Sequence, residues 1–154
     1  MMDRAIELAE QAGSIGEVPV GAVIYRGNEI IAEAANTREF DRDPCGHAEF
    51  LAIRAAAKRI QDWRLSECSL AVTLEPCTMC AGAIVNARVG RVIYGATDAK
   101  AGACESLYRI TSDERLNHRP FMYTGIKADR CATLLRDFFK KLREDRKAAK
   151  RASA

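Results

Sequence analysis

The stretch SLAVTLEPCTMCAGAIVNA, Ser69 to Ala87, crosses from one backbone pattern to another within 19 residues. SLAVTL is short and apolar, as a buried strand is, and TMCAGAIVNA reads as a helix, with Pro76 just ahead of its first turn. A strand running straight into a helix is the building unit of α/β folds. The same junction carries two thiols three positions apart, Cys77 and Cys80. Backbone amides at a helix start are unpaired and the dipole there favours anions, so both sulfurs are stabilised as thiolates. Three chemistries use this spacing: a redox dithiol, half of a structural zinc site, or two of the three protein ligands of a catalytic zinc.

The flanking sequence extends the α/β reading. DRAIELAEQAG, from Asp3, has helical periodicity and stops at Gly13, while PVGAVIYRGNEIIAEAAN, Pro19 to Asn36, holds two apolar runs around Arg26, Gly27 and Asn28, a hairpin signal. HAEFLAIRAAAKRI from His47 reads as a helix, RVIYGA (Arg91 to Ala96) and PFMYTGI (Pro120 to Ile126) as strands, and a closing helix is expected over about residues 128–150. The prediction is a mixed, partly parallel sheet of five strands flanked by helices, in one domain spanning 1–154.

Composition narrows the class. Six cysteines in a chain of 154 residues, with no secretory signal pattern, point to a reducing cytoplasm and not to a disulfide scaffold. No apolar run approaches the ~18 residues of a membrane span. The formal net charge is only +3, yet from Arg136 onward eight basic residues stand against three acidic ones, giving that tail +5 and leaving −2 for the rest. Such a helix suits phosphate contacts, and equally a solvated helix end whose cations complement the dipole.

A structural zinc site takes four protein ligands, and no second Cys-x-x-Cys or His-x-x-x-His pair exists here. The chain has two histidines. His118 lies in a polar turn, LNHRP; His47 lies in CGHAEF at a predicted helix start, with Glu49 two residues on. Mid-helix, such residues point roughly 200° apart, but from a helix start both can reach one cavity. His47, Cys77 and Cys80 make a three-ligand set that leaves zinc's fourth position open for a water acidified to a pKa of about 7. Glu49 then stands as a proton shuttle and not a ligand.

H-x-E followed by P-C-x-x-C is the signature of the zinc nucleobase deaminases. On EVPVGAV (Glu17 to Val23), Asn36, HAE (His47 to Glu49), TLEPCTMCAGAI (Thr73 to Ile84), RVIYGATDAKAGA (Arg91 to Ala103), LNHR (Leu116 to Arg119) and DFF (Asp137 to Phe139), the chain resembles the bacterial tRNA-specific adenosine deaminases of the cytidine deaminase superfamily. The resemblance implies a three-layer α/β/α cytidine deaminase-like fold, one zinc per chain, a homodimer, and conversion of adenosine to inosine at the wobble position of a tRNA anticodon. It implies that Asn36 contacts the flipped nucleoside, that backbone amides near Ala48 and Cys77 polarise the site, and that Asp98, Lys100, Asn117 and Phe139 face the anticodon stem-loop. Cys45 and Gly46 depart from the Thr and Ala that many relatives carry before the histidine; Cys45 is expected not to ligate.

Three rivals stand beside this reading. A deaminase of free guanine or cytosine shares the metal core without needing a basic tail. A non-catalytic, zinc-stabilised RNA-binding subunit needs the ligands but not Glu49. A thioredoxin-like dithiol leaves His47 and Glu49 unexplained.

Overall fold

In the computed structural model, which describes residues 1–152, the elements are α1 (Met2–Ser14), β1 (Gly21–Arg26), β2 (Glu29–Ala35), α2 (Ala48–Ile60), β3 (Ser69–Leu74), α3 (Thr78–Asn86), β4 (Arg91–Ala96), β5 (Phe121–Thr124) and α4 (Ala128–Ala152), with a 3-10 turn at Ile110–Ser112. The sheet order is β2-β1-β3-β4-β5. β1 pairs antiparallel with both β2 and β3, whereas β3 with β4 and β4 with β5 are parallel. The mixed five-stranded sheet is therefore as expected, and its parallel half begins at β3, the strand that leads into the thiol-bearing turn.

Alternation along the strands builds the layers. Ala22 and Ile24 of β1 turn to one face, with Leu70, Val72, Val92 and Tyr94, and meet Ala52 and Ala56 of α2 and Ile84 of α3. Val23 and Tyr25 turn to the other face, with Ile93, and meet Ala5 and Ile6 of α1 and Cys131 and Leu134 of α4. A period of two in the strands thus feeds two cores, giving helices on both faces. The small residues of α2 and β1 let the layers approach closely. At Gly21 an added Cβ would lie 2.8 Å from Ala9 N and from Leu8 Cβ, so α1 can rest against β1 only because that position has no side chain.

Two boundaries differ from the sequence reading. β5 ends at Thr124 and not Ile126, because Gly125 takes φ +77 and turns the chain into α4. The last helix runs to Ala152, past the expected end near 150, since no Gly or Pro interrupts it. Residues 153 and 154 of the expected domain lie outside the described residues. No helix among those described is long and apolar enough to cross a membrane.

Candidate active site

The site forms where two strand-to-helix passages meet. His47 and Cys77 are the residues just before α2 and α3, both in extended conformation (ψ 139 and 177), and neither uses its side chain to cap its helix. Each backbone carbonyl accepts the first helical hydrogen bond, from Leu51 N at 3.0 Å and Ala81 N at 2.8 Å. The side chains are therefore released from the usual capping task and turn toward each other. His47 Nδ1 lies 3.6 Å from Cys77 Sγ and 3.6 Å from Cys80 Sγ, and the three atoms fall within 4.8 Å of one another. Cys45 is not part of this cluster.

The electrostatics describe a centre built around a cation. Cys77 is held down to about 4 by its hydrogen bond with Cys80, against burial, and by His47. Cys80 is driven the other way by that same hydrogen bond, by burial and by the nearby Glu49 carboxyl. Two sulfurs within 4.8 Å of each other, one half-buried and one buried, repel as thiolates, and a cation held between them would relieve that repulsion. His47 is raised, chiefly by its hydrogen bond to Cys77 and against burial. One imidazole and two thiolates in a closed triangle match the donor set and ligand count of a catalytic zinc centre.

Glu49 sits in the first turn of α2 and is buried, 4% exposed. Burial pushes its carboxyl up to about 7, with the neighbouring His47 pulling the other way. A carboxyl poised near neutrality can both accept and return a proton at physiological pH. Its contact is with the Cys80 side chain, which places it against the cluster and outside the ligand triangle.

The remaining expected residues have distinct surroundings. Asn36, 7% exposed, follows β2, and its Nδ2 donates to Glu17 Oε2 at 2.8 Å; since a carboxylate only accepts, the amide's oxygen is turned elsewhere. Ala48 is fully buried in the first turn of α2. Asp98 folds its carboxylate onto Lys100 N (2.9 Å) and Ala101 N (3.2 Å), closing a tight turn that leaves the Lys100 side chain exposed. Asn117 is exposed, with Oδ1 accepting from Arg88 Nη1 at 2.5 Å. Phe138 and Phe139 touch edge to face at 5.4 Å; Phe138 is half-buried and Phe139 is 40% exposed. His118 donates Nε2–H to Val89 O at 2.8 Å and takes no part in the metal cluster.

Two acids escaped the sequence reading. Glu17, 1% exposed, accepts from Phe40 N at 2.6 Å as well as from Asn36, and so fastens the loop that leads to His47. Glu75, 2% exposed, takes hydrogen bonds from residues 98 to 106. Burial alone would raise the Glu75 carboxyl, but the Ser106 hydroxyl and the amides of Asp98, Ser106 and Glu105 outweigh it and hold it below the usual carboxylate range. The available signal was an acid inside the apolar run TLEPC.

A mixed sheet between helix layers, offering one imidazole and two thiolates from two helix starts beside a buried glutamate, defines a hydrolytic deaminase of the cytidine deaminase-like fold. The family of MafB19-like deaminases matches residues 1–143. A tRNA-specific adenosine deaminase of Haemophilus influenzae is 45% identical over 151 residues, covering 97% of this chain and 87% of that protein. A solved structure from work on A-to-I editing by tRNA:A34 deaminases superposes with a TM-score of 0.84 at 42% identity, over 87% of this chain and 97% of that one. A guanine deaminase of Bacillus subtilis aligns at 42% identity and a TM-score of 0.60, over 62% of each chain. The chain belongs to the MafB19-like deaminases and, within them, to the tRNA-specific adenosine deaminases.

Proposed function

We propose that this single domain deaminates adenosine to inosine at the wobble position of a tRNA anticodon in the cytoplasm, using one zinc ion per chain. The observation that carries the reading is the burial of Glu49 against the His47, Cys77 and Cys80 cluster. A binding module needs the ligands but has no use for a buried carboxyl poised near neutrality.

His47, Cys77 and Cys80 hold the metal, which when bound acidifies water to a pKa of about 7 and so supplies a nucleophile at neutral pH. Glu49 takes the proton released as the nucleophile attacks purine C6 and passes it to ring N1. It then takes the proton of the new C6 hydroxyl and delivers it to the departing C6 amine, which leaves as ammonia. Asn36, oriented by Glu17, contacts the base, and the amides at Ala48 and Cys77 polarise the site. The burial of Glu49 keeps bulk water from its carboxyl during the transfer.

Asp98, Lys100, Asn117 and Phe139 contact the anticodon stem-loop in this reading. Phe139 offers an exposed ring for stacking, and α4 carries most of the positive charge beyond it. The protein acts as a homodimer, and the open groove between α2 and α3, about 560 Å³ and lined by Phe50, Ile53, Met79 and Ala83, is the face a second copy would cover. At its rim Trp63 is 51% exposed beneath the Arg64 guanidinium, 4.1 Å from the ring centroid.

The test is incubation of the zinc-loaded protein with transcribed tRNAs bearing a wobble adenosine, with free guanine and free cytosine as parallel substrates. Inosine found by sequencing at the wobble position supports the reading. Ammonia released only from a free base supports the rival that the guanine deaminase likeness keeps open.

A further inference from the structure

Glu75 takes no part in the proton chemistry, yet five donors converge on it. Its Oε1 accepts from Cys104 N (3.2 Å), Glu105 N (2.8 Å) and Ser106 N (2.9 Å). Its Oε2 accepts from Asp98 N (2.9 Å) and from the Ser106 hydroxyl. Burying a carboxylate is costly unless its lone pairs are filled, and here one side chain fills them entirely from a segment that makes no strand and no α-helix.

The same segment is bound to the thiol-bearing turn at two further points. Ala103 N donates to Pro76 O at 2.8 Å, and Gly102 forms an isolated antiparallel bridge with Cys77. Gly102 also has to be glycine: a Cβ there would overlap the Glu75 carboxyl and lie 2.6 Å from Asp98 O. Glu105 is fixed in turn, since its Oε2 accepts from the buried Tyr94 hydroxyl at 3.0 Å. Residues 98 to 106 therefore have one seat, set by Glu75 and the ligand turn together.

We propose that Glu75 is a positioning residue for substrate: it latches residues 98–106 onto the turn of Cys77 and Cys80, so that the turn holding the metal also sets where the RNA backbone lies. Asp98 and Lys100 begin this segment, and Lys100 projects its charge from the turn that Asp98 closes. A phosphate held there arrives at a fixed offset from Glu49, and loosening the latch blurs that offset without touching the ligands. The inference rests on the tRNA reading above.

The experiment measures kcat and KM of the zinc-loaded protein on an anticodon stem-loop carrying a wobble adenosine, with zinc content and amide hydrogen exchange of residues 98–106 recorded for each variant. Glu75→Gln puts an amide donor against backbone N–H groups; KM should rise about ten-fold or more with kcat within about three-fold of wild type and zinc retained. Gly102→Ala should do the same by pushing the carboxylate aside. Ser106→Ala removes one exposed donor, leaves the fold intact, and should shift KM in the same direction by a smaller factor, with faster exchange at Asp98, Glu105 and Ser106. An unchanged KM in Ser106→Ala and Gly102→Ala overturns the proposal, whether or not Glu75→Gln folds. So does a loss of kcat and zinc together with KM unmoved, which makes Glu75 a brace for Cys77 alone. A wild-type protein that forms no inosine defeats the tRNA reading instead; the latch is then judged by exchange, where wild-type protection in Glu75→Gln and Ser106→Ala overturns it.

Discussion

At the scale of single residues, the cluster forms because His47 and Cys77 are spared the capping role that their positions invite. With both side chains released and Cys80 one turn on, three donors close within 4.8 Å while the backbone supplies the first helical bonds. Cys80→Ala leaves a two-ligand site with Glu49 buried beside it; zinc content by elemental analysis should fall from about one per chain toward zero, and soluble yield should fall with it, because binding and folding are linked. Retained stoichiometric zinc would refute the ligand set. The clustering of these three side chains was legible in the sequence because each stands at or near a helix start, marked by Pro76 for one and by the helical run opening at His47 for the other. The supports of the site were not legible. Glu75 meets donors 23 to 31 positions away, and Glu17 meets Asn36 at 19, separations at which local pattern says nothing about who faces whom.

At the scale of elements, α4 links the core to the expected RNA surface. Its first turns dock on β4 through Cys131, where Gly95 leaves no room: an added Cβ would sit 2.8 Å from Thr73 O and 3.0 Å from Cys131 Cβ. Gly95→Ala should force the helix outward and cost roughly 1–3 kcal/mol of stability, read by denaturant unfolding. Ion pairs of Lys127, just ahead of α4, and of Arg130 with Asp3, and of Arg130 with Glu10 at 3.0 Å, tie the start of α4 to α1, but exposed pairs of this kind add little to stability. Further along, residues 143–152 are exposed and the helix runs on for 25 residues in all, about 37 Å at 1.5 Å per residue. Periodicity announced this helix, and the absence of a breaker explains its reach beyond the expected end. A chain ending after Leu142 should keep its zinc and fold while its kcat/KM on tRNA becomes less steep in salt, since each lost phosphate contact lowers the salt slope by about one. Phe139→Ala should weaken RNA binding by roughly 1–3 kcal/mol with zinc unchanged, the worth of one stacked base.

At the scale of the whole molecule, charge and chemistry are separated along the chain. The formal +3 arises from a +5 tail on a body of −2, so attraction to a polyanion is concentrated at one end of α4. The His47, Cys77 and Cys80 cluster lies instead at the junction of the antiparallel and parallel halves of the sheet, where β3 hands over to α3. The exposed Trp63 at the rim of the α2–α3 groove gives the proposed dimer its own test: Trp63→Glu should shift the mass seen by light scattering toward one chain while the monomer stays folded. A variant of unchanged mass would remove that face from the assembly.

The central claim is that Glu49 moves the proton in a reaction carried out at the His47, Cys77 and Cys80 centre. Glu49→Gln preserves size, burial and helix position but cannot carry a proton, which separates chemistry from binding. The decisive measurement is the single-turnover rate of inosine formation on an anticodon stem-loop with a wobble adenosine, taken on zinc-loaded wild type and Glu49→Gln at matched zinc content and matched RNA affinity. The account predicts a fall of at least about 10²-fold in the variant, the scale of lost general acid–base catalysis. A rate within a few-fold of wild type would contradict it.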